Sequence, residues 1–454
     1  MTDSHRAATF WNEPLECMAR DDMRRLQVER LRWSVAHAER GNPVYRERLH
    51  AAGVDPARIN SLDDLARLPF TTKGDLRDHY PFGLFAAPLD QVVRLHASSG
   101  TRGKPTVVGY TRQDLAIWSE VMARSLLGAG VGPGTVLHNA YGYGLFTGGL
   151  GFHMGGELLG CQVLPISGGN TARQIMMLRD LGSQALACTP SYALNIAGAL
   201  ADQGVSPDEL SLRVGLFGAE PWSEAMRRSL EEGLGISALD VYGLSEVIGP
   251  GVSAECLAGR NGLHVHEDHF LAEIVDPQSG EPRPDGSEGE LVFTSLTKEA
   301  LPILRYRTGD ISALDREPCV CGRTSVRMAR IKGRYDDMLI IRGINLYPSE
   351  VERALLSVSD LAPHYQIVIR RESALDQLDV QVEVIEPISD ALGLELSGYA
   401  NRPESVQALS RRVQDTLYGA TGLRMIVTLR PPRAIPRSEG KAIRVIDMRN
   451  QEES

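Results

Sequence analysis

The stretch Val214-Gly215-Leu216-Phe217-Gly218-Ala219-Glu220-Pro221 is a short apolar run that ends in a polar, glycine-containing turn. Leu239-Asp240-Val241-Tyr242-Gly243-Leu244-Ser245-Glu246 repeats that form. Apolar runs of similar length lie at 136–140, 162–166 and 185–189. Runs this short, bounded by turn residues, predict strands, and helical patterns at 172–181, 191–201 and 223–234 fall between them. Such alternation predicts a mostly parallel sheet covered on both faces. Ligands of such sheets sit beyond the carboxyl ends of the strands. Three turns at those ends carry unusual content: 141–151, 218–221 and 243–246.

The chain has 454 residues, which predicts two or three domains. Its hydrophobic content of 43% and charged content of 23% suit a globular protein. A net charge of −10, with Lys and Arg dispersed, argues against nucleic acid or an anionic membrane as partner. The first 25 residues are charged throughout and do not resemble a signal peptide. No apolar run approaches the ~18 residues of a membrane span. Six cysteines in a chain this long do not make a disulfide framework, so a cytoplasmic location is expected.

Residues up to about 60 read as helical, with Leu26, Leu31, Val35 and Ala38 at helical spacing and Asn42-Pro43 ending the run. Thr111-Arg112-Gln113-Asp114 reads as a helix start, with apolar positions through Leu127. Segments 270–275 and 290–295 read as antiparallel strands of a small β unit. Beyond Gly333 a separate α+β pattern begins. It has a helix from Ser349, capped with Glu352, strands at 365–369, 380–385 and 425–429, and a helix at 405–418. The expected fold is α/β. A large N-terminal domain (1–335) holds mostly parallel sheets covered by helices plus the β unit, and a small α+β domain (336–454) follows.

Ser98-Ser99-Gly100-Thr101-Arg102-Gly103-Lys104-Pro105 combines hydroxyls, glycines and a lysine, which suit phosphate oxygens. It fails the Walker pattern, because its glycines are only three apart and Pro105 follows the lysine. Five further stretches accompany it: 217–221; 240–246; Tyr306-Arg307-Thr308-Gly309-Asp310; Gly333-Arg334-Tyr335-Asp336-Asp337 on to Gly343; and Pro436-Arg437-Ser438-Glu439-Gly440-Lys441. Together, in this order, they resemble the adenylate-forming superfamily of acyl-CoA synthetases. The stretches 141–149, 262–264 and 340–348 resemble its phenylacetate–CoA ligase branch.

The resemblance implies an ATP-dependent aryl acid–CoA ligase with phenylacetate as the first choice of acid. Such an enzyme forms an acyl-adenylate with release of pyrophosphate, and a thiol then displaces AMP. Ser98, Ser99, Thr101 and Lys104 would hold the β- and γ-phosphates. Glu246 would be the Mg²⁺ ligand, as suits a hard cation bridging phosphates, with Ser245 beside it. Asp310 would accept both ribose hydroxyls. Ala219, Glu220, Pro221, Asp240 and Tyr242 would line the adenine pocket. Arg334 would contact ribose or phosphate, Asp336 would be the hinge of a mobile C-terminal domain, and Gly343 would pass the pantetheine arm of coenzyme A. Lys441 would reach the substrate carboxylate and α-phosphate during adenylation.

For the acid, Tyr141 and Phe146 are the expected aromatic walls, with Gly218 and Gly243 at adjacent strand ends. Cys256, His264, Cys319 and Cys321 form a soft set that suits a structural zinc, with His266 and His269 as rivals for the histidine position. A homodimer is expected. Two alternatives remain open at this point: loading of a separate carrier protein instead of coenzyme A, and a benzoate-type acid. The division of labour between the two lysines is testable. Lys441→Ala is expected to abolish most acid-dependent pyrophosphate exchange, yet to leave thioester formation from added acyl-adenylate largely intact. Equal loss of both half-reactions refutes that role.

Overall fold

The structure, a computed structural model, describes residues 10–98, 105–335, 338–341, 344–372, 375–392, 404–438 and 442–449. The chain forms two compact units. The first comprises Met1–Thr189, Ala199–Ala219 and Leu234–Ile331; the second comprises Pro190–Gly198, Glu220–Gly233 and Lys332–Ser454.

In the first unit, β1 (Arg94–Ser98) and β2 (Thr106–Tyr110) form an antiparallel hairpin with Ser98 opposite Thr106. β3 (Val136–Asn139), β4 (Gln162–Leu164), β5 (Ala185–Cys188), β6 (Val214–Gly218) and β7 (Ser237–Leu244) pair in parallel. Their spatial order is 4-3-5-6-7. β8 (Gly249–Glu255) turns back antiparallel on β7, and β9 (Leu263–Val265) pairs antiparallel with β8. β10 (Phe270–Val275), β11 (Gly289–Ser295) and β12 (Tyr306–Ser312) form an antiparallel sheet of their own. β13 (Leu314–Asp315) and β14 (Arg327–Met328) then return to the main sheet, whose order is β13-β14-β9-β8-β7-β6-β5-β3-β4. Every residue of β5 and β6 is buried, as expected of central parallel strands that are apolar on both faces.

The parallel half matches the alternation in the sequence. The other half of the sheet is antiparallel, and it was not expected. A further helix, Gly148–Leu159, replaces what reads as the end of a glycine-rich turn. Its glycines conceal it, because glycine disfavours helices. Here they allow close packing: a Cβ on Gly155 would lie 2.3 Å from Met122 Cβ, and one on Gly151 would lie 2.9 Å from Trp118. Both partners sit on the helix Arg112–Gly128. The N-terminal helix Arg20–Gly41 buries Met23, Gln27, Leu31, Ser34, Val35 and Ala38, a single face at 3–4-residue spacing. Asn42 ends it and caps the next helix, accepting the N–H groups of Val44 and Tyr45.

Helix Arg112–Gly128 begins in a capping box. Thr111 Oγ accepts the Asp114 N–H, and the Asp114 carboxylate accepts the Thr111 N–H. Asp114 is fully buried, and its oxygens also accept Glu299 N–H at 2.7 Å and Ala300 N–H at 3.0 Å. One carboxylate thus starts a helix and fastens the loop after β11.

In the second unit a four-stranded sheet runs in the order Ile426–Arg430, Leu375–Val384, Leu361–Glu372, Val445–Asp447. The central pair is antiparallel and the two outer pairings are parallel. Helix Glu404–Thr421 buries Val406, Leu409, Val413 and Leu417 in the core of this unit. Ser349 does not cap the preceding helix. That helix is Pro348–Leu355, and the Glu350 carboxylate accepts the Tyr347 N–H at 3.1 Å. Pro348 takes the first helical position, where no N–H is needed. Glu352 is instead buried, accepting Tyr365 O–H at 3.0 Å and Ser223 N–H at 3.2 Å.

Asp114→Ala strands three N–H groups, two of them joining segments 185 residues or more apart. The expected loss is at least about 3 kcal/mol of unfolding free energy by chemical denaturation, since each buried unmet donor costs roughly 1–3 kcal/mol. Asp114→Asn, which keeps one acceptor oxygen, is expected to lose less.

Candidate active site

The parallel run of β3 to β7 delivers the loops after Asn139, Leu164, Gly218 and Leu244 to one edge of the sheet. Two of these strand ends are crowded. A Cβ on Gly218 would lie 2.0 Å from Val241 O, and one on Gly243 would lie 1.9 Å from Gly249 O. Both glycines are therefore required by backbone approach within the sheet. Ala219, the next residue after β6, has φ +72°, a conformation unusual for a residue with a side chain and one that recurs at functional sites.

Tyr242, near the end of β7, donates its hydroxyl to Asp310 Oδ2 at 2.7 Å. Its ring stacks at 6.1 Å on Phe293 of β11. Asp310 lies on β12, where its N–H bonds Thr308 Oγ at 3.0 Å. Gly309, at φ +78°, donates to Glu290 at 3.1 Å. The main sheet and the β10–β12 sheet thus meet at a tyrosine–carboxylate pair. Asp240, one turn of pleat earlier, is also engaged. Its N–H reaches Glu255 at 2.8 Å and its carboxylate accepts Arg330 Nε at 3.2 Å.

Ser245 and Glu246 occupy the turn between β7 and β8. Ser245 Oγ lies 3.1 Å from Thr147 Oγ1. Glu246 is buried, 6% exposed. Ser98, at the end of β1, has a buried hydroxyl with no hydrogen-bond partner among the described residues. The same strand is pinned to the loop after β3, because Ala97 N–H and His96 Nδ1 reach Leu145 O at 2.9 and 3.0 Å.

In the loop after β3, Tyr141 is largely core. It stacks on Phe152 with ring centres 5.1 Å apart, and its hydroxyl lies 3.7 Å from where a Gly218 Cβ would be. Phe146 is 52% exposed. Tyr143 is a half-buried polar member of this loop. Its hydroxyl accepts Asn139 Nδ2 at 2.6 Å and lies 3.2 Å from His153 Nδ1, and burial pushes its pKa up to about 12.

The first unit also holds the cysteine–histidine set. Sγ of Cys256, Cys319 and Cys321 and a ring nitrogen of His264 lie within 4.8 Å of one another. Cys256 and Cys319 sulfurs are 3.7 Å apart, and Cys321 Sγ is 3.4 Å from His264 Nε2. His264 Nδ1 meets Ser325 Oγ at 3.0 Å, an outer contact that orients the ring. The hydrogen bond from Cys256, then those from His264 and the Arg323 N–H, hold the Cys321 thiol far below its ordinary pKa despite burial. His266 instead meets Ser125 Oγ at 3.1 Å, and His269 meets Thr297 Oγ1 at 2.8 Å. Neither joins the set.

Two family models match the chain: AMP-binding enzyme over residues 38–297 and AMP-binding enzyme C-terminal domain over 343–449. Curated relatives include a phenylacetate-coenzyme A ligase of Thermus thermophilus, 55% identical over 97% of this chain and 100% of that protein. Another, from Escherichia coli, is 50% identical over 96% and 98%. The chain belongs to the AMP-binding enzyme family, in its phenylacetate–CoA ligase branch. Among solved structures, 2-hydroxyisobutyryl-CoA ligase with an acyl-AMP superposes with a TM-score of 0.89 at 29% identity, over 98% of this chain and 94% of that one.

For an AMP-binding enzyme, several expected residues lie outside the described ones: Ser99, Thr101, Lys104, Asp336, Gly343 and Lys441. Within the first unit the structure gathers Ser98, Tyr141, Gly218, Ala219, Asp240, Tyr242, Gly243, Ser245, Glu246 and Asp310 around the carboxyl ends of β6 and β7 and their neighbours. Glu220, Pro221 and Arg334 belong to the second unit. There the Glu220 carboxylate accepts Ser191 N–H at 2.7 Å and Ala442 N–H at 3.0 Å, the latter one residue past Lys441. Sequence reasoning missed Thr147, Arg330, Glu255 and Lys298. Thr147 stands within the 141–149 stretch without being singled out there, the other three stand in no distinctive motif, and each matters through what the fold sets beside it.

Proposed function

We propose that this chain is an ATP-dependent ligase for an aryl carboxylic acid, phenylacetate foremost, with coenzyme A as acyl acceptor. The acid's carboxylate oxygen attacks the α-phosphorus of ATP and pyrophosphate leaves. The thiolate of coenzyme A then attacks the acyl carbon and AMP leaves. The observation that carries the reading is the Tyr242–Asp310 pair beside the Ser245–Glu246 turn, in a chain whose near-full-length relatives are phenylacetate-coenzyme A ligases.

On this reading Asp310 is fixed by Tyr242 so that its remaining lone pairs face the ribose hydroxyls. Ser245 is oriented by Thr147 toward a phosphate. Glu246 is the residue that would hold Mg²⁺, which supplies charge neutralisation between the phosphates. Ser98, with its unmet buried hydroxyl, belongs with Ser99, Thr101 and Lys104 on the pyrophosphate. Lys441 serves the attacking carboxylate, and Asp336 serves as hinge. Tyr141 and Phe146 remain the aromatic contacts for the acid. Support for an uncharged ring comes from the loop after β3, which offers hydroxyls but no carboxylate between residues 138 and 151.

We also assign a structural zinc to Cys256, His264, Cys319 and Cys321. Three thiols and an imidazole within 4.8 Å match tetrahedral ligation.

Two measurements test these readings. With coenzyme A, AMP release across a panel of aryl and alkyl acids is expected to be fastest, by kcat/KM, for phenylacetate; a benzoate preference overturns the choice of acid. Preference for a carrier-protein pantetheine over coenzyme A overturns the acceptor, and absence of any acid-dependent pyrophosphate exchange overturns the ligase. Protein purified without chelator is expected to carry about one equivalent of zinc. Cys256→Ser should lose most of it and lower the melting temperature, while less than about half an equivalent in the unsubstituted protein refutes the site.

A further inference from the structure

Lys298 is a buried ammonium that none of the motifs described above contains. It is 2% exposed, and it projects from the loop 297–300 that follows β11. That loop is held on several sides. Thr297 Oγ1 meets His269, the Asp114 carboxylate takes the N–H groups of Glu299 and Ala300, and Thr111 Oγ1 donates to the Glu299 carboxylate at 2.7 Å. The ammonium therefore has a fixed base. Its tip rests 4.6 Å from the centre of the Tyr110 ring, and it donates to the main-chain carbonyl of Glu246 at 3.4 Å.

Tyr110 reaches the same turn. Its hydroxyl bonds Ile248 O at 2.9 Å and Ser245 O at 3.4 Å, and its ring stacks on Trp118 with centres 5.0 Å apart. The carbonyls of Glu246 and Ile248 are thus held by one cation and one phenol, with the Ser245 carbonyl at the margin of the phenol's reach. Burying an ammonium with so few partners is unfavourable. Burial pushes the Lys298 pKa down to about 8, with the Asp114 and Glu246 carboxylates acting in the opposite sense.

We propose that Lys298, together with Tyr110, is a positioning residue for the nucleotide-bound metal: it fixes the Ser245–Ile248 turn so that the Glu246 carboxylate points at the cation. The geometry fits that task because the ammonium takes the carbonyl of Glu246 and leaves the carboxylate to its ligand. The proposal rests on the reading of Glu246 as the Mg²⁺ ligand. Lys298 does not touch the reacting atoms and transfers no proton.

The test compares the protein with Lys298→Met and Tyr110→Phe. One readout is the Mg²⁺ concentration for half-maximal pyrophosphate exchange. A second is Mn²⁺ binding to the ATP complex by electron paramagnetic resonance, which needs neither acid nor turnover. Removing a partner that orients a metal ligand typically weakens metal affinity about 10- to 100-fold. Lys298→Met is therefore expected to raise both the half-maximal Mg²⁺ and the Mn²⁺ dissociation constant by about tenfold or more. Thioester formation from added acyl-adenylate should change far less. Tyr110→Phe, which removes one oxygen and keeps the ring, should shift the metal readouts the same way by less. It decides the matter if Lys298→Met does not fold. Unchanged metal readouts in a folded variant overturn the proposal, as does an equal fall of both half-reactions with no metal shift. If the unsubstituted protein shows no acid-dependent exchange, the ligase reading fails, and the Mn²⁺ arm still judges Lys298 by itself.

Discussion

The parallel direction of β3 to β7 is the constraint on which the site depends. Five strands that run the same way must all end at the same edge, so the turns after them converge whatever their separation in sequence. The chain then reverses at β8, and the reversal places Ser245 and Glu246 in a tight turn at that edge. β12 brings Asp310 to the same place from the second sheet of this unit, and Tyr242 closes the gap with a 2.7 Å hydrogen bond.

Elsewhere in this unit, buried charge fastens loops and chain termini. Asp114 ties a helix start to the loop after β11. Asp268, 2% exposed, meets Arg124 at 2.9 Å. Burial opposes its ionisation, but His269 and Arg124 outweigh burial and hold its carboxyl far below the usual range. Arg323 meets Glu16 at 2.8 Å beside the cysteine–histidine set, and Arg20 pairs with Glu267. Removing one partner of the Arg124–Asp268 or Arg323–Glu16 pair leaves an uncompensated buried charge, at about 3–5 kcal/mol. These pairs join residues more than a hundred positions apart, and they secure a domain with many loops.

Particular elements show where sequence patterns were legible. Apolar runs predicted the five parallel strands to within a residue or two, most plainly β5 and β6, which are buried on both faces. The helix Gly148–Leu159 was not legible, because its glycines answer to Met122 and Trp118 on a neighbouring helix. Ser349 and Glu352 matched a capping pattern, yet the helix begins one residue earlier and Glu352 is drawn into the core by Tyr365. Around the cysteines, the sequence favoured His264 with His266 and His269 as rivals. The structure sets His264 beside the three thiols, whereas His266 faces Ser125 and His269 faces Thr297.

The sequence by itself determined the fold class, the family and most of the residues that meet at the carboxyl edge of the parallel strands, because these are written in local pattern and in motifs whose chemistry is specific. Only the tertiary structure decided which of those residues have competing partners: Asp240 with Arg330, Glu220 with two backbone N–H groups, Tyr141 with Phe152. It alone also showed Lys298 beneath Glu246. The reason is physical. A backbone preference or a ligand type is a property of a short segment, whereas burial and the orientation of a buried charge depend on segments that meet only when the chain is folded.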